Sequence, residues 1–365
     1  MPAKPVIALV FGGESSEHSV SCATAAGVYS ALIEAGKYEV LGIGIARDGR
    51  SWLCEIDSFW RLDDGSPKVS ESGEEIIWPI GGGRIRVRRE SGETRELPEL
   101  AVVFPLLHGL NGEDGSIQGL LQLCHLPYVG NGVLASAAAM DKSIAKAIFR
   151  DAGIPVAPGV SITRASWVSD PETALEKVRD LGGGDLFVKP ARSGSSVGVT
   201  LVKDRKQLAA AIAEALKHDR VAIVETRLFG REIECAVLEG VGNTEPRVSL
   251  PGEIVMQSRD FYDYEAKYLD ANAAKLLVPT QLTEGEQSEM IRLARRAFRA
   301  LGCSGLARTD FFLTPEGWFL TEVNTMPGFT PISMYPNLWR VSGLSFAELV
   351  AELVELGIAA GTNPR

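Results

Sequence analysis

Arg308, Asp310, Glu322 and Asn324 lie in one stretch, residues 305–329, that reads as two strands joined by Thr314-Pro315-Glu316-Gly317. Pro suits the first central place of a type I turn and Gly the left-handed place after it, which makes a three-residue hairpin loop. That register sets Asp310 opposite Glu322. Side chains alternate at period two, so Arg308 shares the face of Asp310 and Asn324 that of Glu322. One face then carries Arg, Asp, Glu and Asn among large apolar residues. Three oxygen donors without His or Cys suit a hard cation such as Mg2+ that phosphate oxygens also hold. The plainer alternative is a solvated strand face with a salt bridge. Flanking Phe311, Phe312, Trp318 and Leu320 point instead to a buried sheet.

A second group follows the strand at residues 186–188. Lys189 lies inside that strand, and a buried Lys needs an anion. The small polar stretch 191–196 after it, with Ser195 and Ser196, can fold backbone N–H groups and hydroxyls over phosphates. It is not a Walker A loop, because GxxxxGK[ST] is absent. The strand at 221–224 runs into Glu225-Thr226-Arg227-Leu228, whose backbone can meet an adenine. Glu232 opens the next strand, and Glu234 alternates out on its face, where surface charge is the commoner reading. Residues 257–271, with Lys267 and Tyr268, mix aromatics and charges without period, as a loop that closes over a site does. Glu17 and His18 sit at a helix start; Glu17 either compensates the helix dipole or contacts a substrate ammonium. His108 follows a buried strand and either touches phosphate or substrate or is a satisfied structural His. Gly328 offers a backbone N–H after the hairpin.

The elements that must position these groups can be read in order. Residues 5–11 form a continuous apolar run, as a buried parallel strand does. A Gly-rich turn opens a helix to about Gly36, and residues 38–46 form a second strand. This βαβ start lacks GxGxxG, which argues against a dinucleotide fold. The turn nevertheless lies where open α/β sheets bind ligands. Residues 47–100 alternate short strands with polar loops. Another buried strand spans 100–107, and Ile117, Leu120, Leu121 and Cys124 recur at helical spacing. One helix is expected over about 134–152, with Met140, Ile144 and Ile148 inward and Lys142 off that stripe. The first domain boundary falls near here. Asp170-Pro171 starts the next helix. Thr283-x-x-Glu286 and Ser345-x-x-Glu348 are capping boxes for two more, the first with Ile291, Ala294, Phe298 and Leu301 inward.

With 365 residues, 45% hydrophobic, the chain has room for a proper core and for roughly two to three domains. A net charge of −10 argues against nucleic acid or an anionic membrane as partner. Five Cys without a CxxC suit a reduced, cytoplasmic protein. The uncharged run 115–140 contains Gln, His, Pro and Asn and is no transmembrane helix.

GGESSEHSVS, HGLNGEDGSIQG, AAAMDK, KPARSGSSVGV, FYDYEAKY, and RTD with EVNTMPGFTPIS occur in that order. Together they resemble the D-alanine–D-alanine ligase family of the ATP-grasp superfamily over nearly the whole chain, most weakly at 47–100. The resemblance implies an α/β (α+β overall) three-domain ATP-grasp fold with an N-terminal Rossmann-like parallel sheet. Its domains would be an N-terminal α/β domain at 1–135, a central domain at 136–225, and a C-terminal domain with metal site and lid at 226–365. It further implies that Lys142, Lys189 and Lys267 contact ATP phosphates and that the loop with Ser195 and Ser196 covers them. Glu225 and Leu228 would meet adenine, Glu232 the ribose, and Phe312 would pack on the base. Asp310, Glu322 and Asn324 would hold two Mg2+ or Mn2+. Thr309 stands where relatives often carry an aliphatic residue, but it points to the other strand face.

Two D-alanines are the substrates so implied, for peptidoglycan precursors. Glu17 would bind the first ammonium, Ser333 with its neighbours the second carboxylate, and His108 would contact substrate. Arg308 and the Gly328 N–H would stabilise an oxyanion. Glu17, Ser195 and Tyr268 resemble a triad that orients substrates and ties the lid down. Relatives that use D-lactate depart from the EAKY sequence at 265–268, so its presence implies an amino acceptor. A homodimer is expected from the resemblance alone. The rival readings are a D-alanine–D-serine or D-alanine–D-lactate type ligase, a non-catalytic nucleotide sensor on the same fold, and a Rossmann dehydrogenase, which the missing fingerprint disfavours.

Overall fold

The computed structural model describes residues 4–56, 67–194, 197–256 and 274–362. Three sheets carry the chain, and the fold is mixed α/β. In the first, Val6–Gly12 is flanked by two parallel neighbours, Glu39–Ile45 and Val102–Pro105. The apolar run at 6–12 is buried from Ile7 onward, as expected of a strand covered on both faces. The parallel arrangement stops there. Ser51–Cys54, Glu74–Ile77, Arg86–Arg88 and Thr94–Glu96 extend this sheet antiparallel, so the weakly patterned region 47–100 completes its edge. Helix His18–Ala35 covers the sheet and ends at Gly36, which takes the left-handed conformation.

The second sheet is antiparallel, in the order Thr200–Val202, Leu186–Pro190, Val221–Thr226, Gly159–Thr163. Helices Pro171–Arg179 and Leu208–His218 bury their apolar stripes on it. Asp170 caps the first of these by accepting from the Thr173 N–H, as its sequence requires. The third sheet runs Ala274–Leu277, Gly252–Met256, Arg231–Leu238, Leu306–Thr314, Gly317–Asn324. Helix Glu284–Ala300 backs it, and both expected capping boxes are formed, at Thr283 and at Ser345 ahead of helix Phe346–Ala360. Ala294, Phe298 and Leu301 are buried as expected.

Strand Arg231–Leu238 shows how the sheet divides its duties. Ile233, Cys235 and Val237 join the core under helix Glu284–Ala300. Ala236 and Leu238, on the other face, join the core shared with the first sheet. That same face carries Glu232 and Glu234 further along, beyond the apolar cover. One face of one strand is thus greasy at one end and acidic at the other.

Two expectations are corrected. The helix at 134–152 is two helices, Val133–Met140 and Lys142–Asp151, broken at Asp141. Asp141 takes extended backbone angles, and its carboxylate accepts from the Ser143 and Ile144 N–H groups, restarting the helix. The break turns the second helix, so Ala145, Lys146 and Phe149 are buried while Ile144 is half exposed. The hairpin loop also has two residues, since Thr314 pairs with Gly317. A bulge then restores the register at the acids: Asp310 faces Glu322 and Arg308 faces Asn324, while Phe311 faces Leu320. Thr321 is the extra residue, and its hydroxyl donates to the Asp310 carbonyl at 2.7 Å.

The bulge has a larger effect than register. Period two alone puts Trp318 and Leu320 on the same face as Glu322 and Asn324. With one residue inserted the parity changes, as bulges near functional sites do. Trp318, Leu320 and Val323 then all enter the core, and Trp318 meets Phe311 edge to face at 5.6 Å between centroids. The acids are left facing the gap between the second and third sheets.

Candidate active site

The cleft side of the third sheet is a patch of paired charges. Arg308 donates two parallel hydrogen bonds to Asp310, at 2.7 and 2.8 Å, and lies 3.2 Å from Glu234. Burial alone would lower the guanidinium's pKa, but Asp310 and Glu234 outweigh it and raise it well above the arginine range. Asn324 donates its amide to Asp310 at 2.9 Å. Glu234, read from sequence as surface charge, is only 5% exposed and stands directly opposite Asp310. Its place in the alternation EIECAVL gave its face correctly; that a strand with a charged face would lie against it was not readable from its own strand. Thr309 points away, with its hydroxyl 3.0 Å from the Cys235 sulfur. Glu232 and Phe312 are cross-strand partners on the cleft face, both partly exposed.

Lys142 bridges the two sheets. Its ammonium is 3.2 Å from a Glu322 carboxylate oxygen and donates to the Ser193 carbonyl at 3.0 Å. Its backbone N–H donates to the Ala191 carbonyl. The helix break at Asp141 is what aims this side chain across the cleft. The loop base is held by Arg192, whose backbone and guanidinium both donate to Asp219. Behind it lies a buried triad: Glu225 receives Lys146 on one oxygen and Lys189 on the other. Burial would raise the Glu225 carboxyl, but the two ammonium groups hold it at about 2. Lys146 was missed by the sequence reading. The available signal was its spacing, four residues after Lys142 and so one helical turn on. Leu228 follows in the loop after Val221–Thr226.

A second cluster sits at the carboxyl ends of the first sheet. His108 is 3% exposed; its Nδ1 is 3.3 Å from the Met326 carbonyl and its Nε2 3.2 Å from the Thr24 hydroxyl. Burial would lower its pKa, but Glu113, Glu17 and the Met326 carbonyl raise it above the usual histidine value. A Cβ at Gly109 would lie 3.1 Å from a Glu17 oxygen, so Glu17 reaches the His108 loop. Gly328 and Ser333 are neighbours, since a Cβ at Gly328 would be 3.3 Å from the Ser333 hydroxyl. Ser333 accepts from the Thr330 N–H. Buried Asn131 clamps the hairpin ends by donating to the Leu306 and Thr325 carbonyls. Ser195, Ser196, Lys267 and Tyr268 lie outside the described residues.

The glycine turn that leads to Glu17 is fixed by His18. A Cβ at Gly12 would sit 2.3 Å from the Ile45 carbonyl, and its φ is +92°, so only glycine fits. His18 Nδ1 lies 2.7 Å from the Gly13 carbonyl, and Nε2 accepts from the Val69 N–H at 3.1 Å. The Nε2 bond requires the neutral ring, whereas an Nδ1–H can donate to the Gly13 carbonyl in either state. Burial accordingly lowers the His18 pKa below 6.5. The stability it supplies is present above about pH 6.5 and is lost as pH falls through that value toward the folded pKa. His108 acts in the opposite sense, its contribution fading as pH rises through its raised value. His18→Gln should therefore narrow its stability deficit against the parent between about pH 7.5 and 5, measured by denaturant midpoints. A deficit that stays constant would contradict the neutral-ring assignment.

Among the described residues no group of three His, Cys, Asp or Glu is arranged to hold a metal. The cleft set differs because one of its donors is an amide and Asp310 is held by Arg308. No described helix is long and apolar enough to cross a membrane.

Comparison with known proteins gives a consistent result. The family models described as D-ala D-ala ligase N-terminus and C-terminus match residues 6–131 and 148–355. A D-alanine–D-alanine ligase from Arthrobacter sp. is 48% identical over 370 residues, spanning 100% of this chain and 96% of that protein. One from Streptomyces avermitilis is also 48% identical, over 378 residues, spanning 100% and 97%. Among solved structures, the VanG D-Ala:D-Ser ligase from Enterococcus faecalis superposes with a TM-score of 0.82 at 34% identity, covering 97% of this chain and 100% of that one. The D-alanine-D-alanine ligase from Coxiella burnetii gives 0.79 at 34% identity, covering 98% and 96%.

Proposed function

The chain belongs to the D-alanine–D-alanine ligase family, and from that premise we propose that it joins two D-alanines into D-alanyl-D-alanine with conversion of ATP to ADP, for peptidoglycan precursor synthesis. The observation that carries this reading to the site is the Lys142 ammonium, shared between Glu322 on the hairpin and the Ser193 carbonyl on the phosphate loop. The sequence divides, on this reading, into domains at 1–135, 136–225 and 226–365.

A carboxylate is a poor electrophile because expelling its oxygen is unfavourable. An oxygen of the first D-alanine's carboxylate bonds to the γ-phosphorus as the bond to the ADP oxygen breaks. The second D-alanine's neutral amine attacks the resulting acyl phosphate. The tetrahedral adduct then expels phosphate, and the proton lost from the amine leaves on that phosphate. Lys142, Lys189 and Lys267 neutralise phosphate charge, and Ser195 and Ser196 cover it. Glu225 and Leu228 receive the adenine, Glu232 the ribose, and Phe312 packs on the base. Glu17 holds the first ammonium, with His108 behind it, and Ser333 the second carboxylate. Arg308 and the Gly328 N–H stabilise the oxyanion. Tyr268, with Glu17 and Ser195, orients the substrates, and the lid keeps water from the acyl phosphate. The donor set fits Mg2+: Asp310, Glu322 and Asn324 present oxygens on one face, and hard ions take carboxylate and amide oxygens with phosphate. When bound, Mg2+ or Mn2+ would neutralise charge on the transferred phosphoryl group.

The test is an ADP-release assay with D-alanine, D-serine and D-lactate, alone and in competition. ADP should appear in step with D-alanyl-D-alanine and only when D-alanine is present. Silence with D-alanine would identify a nucleotide sensor. D-serine incorporation in preference to D-alanine would match the activity named for the Enterococcus relative. A preference for D-lactate at pH 7 would reject an amino acceptor.

A further inference from the structure

Lys146 has no place in the roles given above, yet it is among the most deeply buried charged side chains described, at 3% exposed. It lies one helical turn beyond Lys142, and its ammonium is 2.5 Å from a Glu225 carboxylate oxygen. Glu225 is itself buried, while Lys189 on its other oxygen keeps 15% of its side chain exposed toward the cleft. The two lysines therefore differ in freedom. Lys146 is enclosed on a helix packed into the core. Lys189 stands on a strand at the cleft wall, beside the loop at 191–194.

We propose that Lys146 is a positioning residue that neutralises Glu225, so that Lys189 is free to leave this carboxylate for the phosphates of a bound nucleotide. This rests on the ATP-dependent reading above and adds to it a role for a residue that touches no substrate. The physical reason is the charge balance of the triad. Two ammonium groups on one carboxylate leave one positive charge in excess. A lysine drawn toward phosphate then leaves Glu225 still paired. Without Lys146, the same movement would strand a buried carboxylate, which is strongly unfavourable. Lys189 would stay on Glu225, and nucleotide would bind against that pair.

The experiment measures ADP affinity by calorimetry, alongside KM for ATP and for D-alanine, on folded protein verified by circular dichroism. Lys146→Met should weaken ADP binding and raise KM for ATP at least about tenfold, with KM for D-alanine changed less than about threefold. Lys146→Arg, which keeps the charge, should restore most of the affinity. The decisive comparison is made in a Glu225→Gln background, where no carboxylate remains to be stranded. There Lys146→Met should change ADP affinity less than about threefold. This pair serves equally if the single Lys146→Met variant does not fold. A tenfold loss that persists in the Glu225→Gln background, or unchanged ADP affinity in Lys146→Met alone, would overturn the proposal. Failure of the parent protein to bind ADP would overturn the nucleotide reading instead, so the two failures are distinguishable.

Discussion

Glu322→Gln should abolish ligation while leaving the fold intact. Glu322 sits where three demands meet: it faces Asp310 across the hairpin, lies within 3.2 Å of the Lys142 ammonium, and shares the cleft face with Asn324. The amide keeps the shape and one oxygen but removes the charge. With a formal negative charge gone, the proposed metal site would lose attraction for a divalent ion. Lys142 also loses the anion that holds it between hairpin and loop. The expected fall in kcat is about a thousandfold or more, the scale seen when one group that stabilises developing charge is removed. Stability should change by less than about 1 kcal/mol, since Glu322 is 30% exposed at its side chain and its pair with Lys142 is partly solvated. Dipeptide formation and the thermal transition are the two measurements. A variant with full activity would remove the argument that the hairpin acids serve the phosphates.

Arg308→Met should damage both stability and activity, and its two effects can be separated. The guanidinium is the common partner of Asp310 and Glu234, which pair directly across adjacent strands. Removing it leaves two carboxylates facing each other with little solvent, 8% and 6% exposed at their side chains. Breaking a buried pair in this way costs about 3–5 kcal/mol, and like charges directly opposite in a sheet are destabilising. The thermal midpoint should fall by roughly 4–7 °C. Glu234→Gln added to Arg308→Met should recover part of that loss, because one of the two stranded charges is gone. It should not recover catalysis, since on the proposed role of Arg308 the loss of one oxyanion donor lowers kcat about 100- to 1000-fold by itself. Arg308→Lys keeps the charge without the fork that grips both Asp310 oxygens, and should fall between. A metal-free Arg308→Met protein as stable as the parent would show that the carboxylates find other partners.

Much of this site could be read from residue types and local spacing. Alternation along Leu306–Thr314 is a covalent property of extended chain, so Arg308, Asp310 and Phe312 had to share a face once the strand formed. The capping boxes at Thr283 and Ser345, and the Asp170 cap, depend on neighbours three residues away and came out as read. The resemblance in six ordered motifs likewise carried the family.

Tertiary structure decided the rest, for reasons that no local window contains. Two errors at the hairpin offset each other: the loop is one residue shorter than its turn residues suggest, and Thr321 adds one back. The bulge exists because Trp318 and Leu320 must enter the core while Glu322 and Asn324 must leave it, a demand set by helix Glu284–Ala300 packed behind the sheet. The break at Asp141 similarly reflects two surfaces to be served, the core behind and the cleft ahead. Lys146 and Glu234 gained their partners only when distant strands were brought alongside, since Glu225 is 79 residues from Lys146 in sequence. Local chemistry set which groups each strand could present; long-range strand pairing in the third sheet, and helix Lys142–Asp151 laid against the second, set which charges meet.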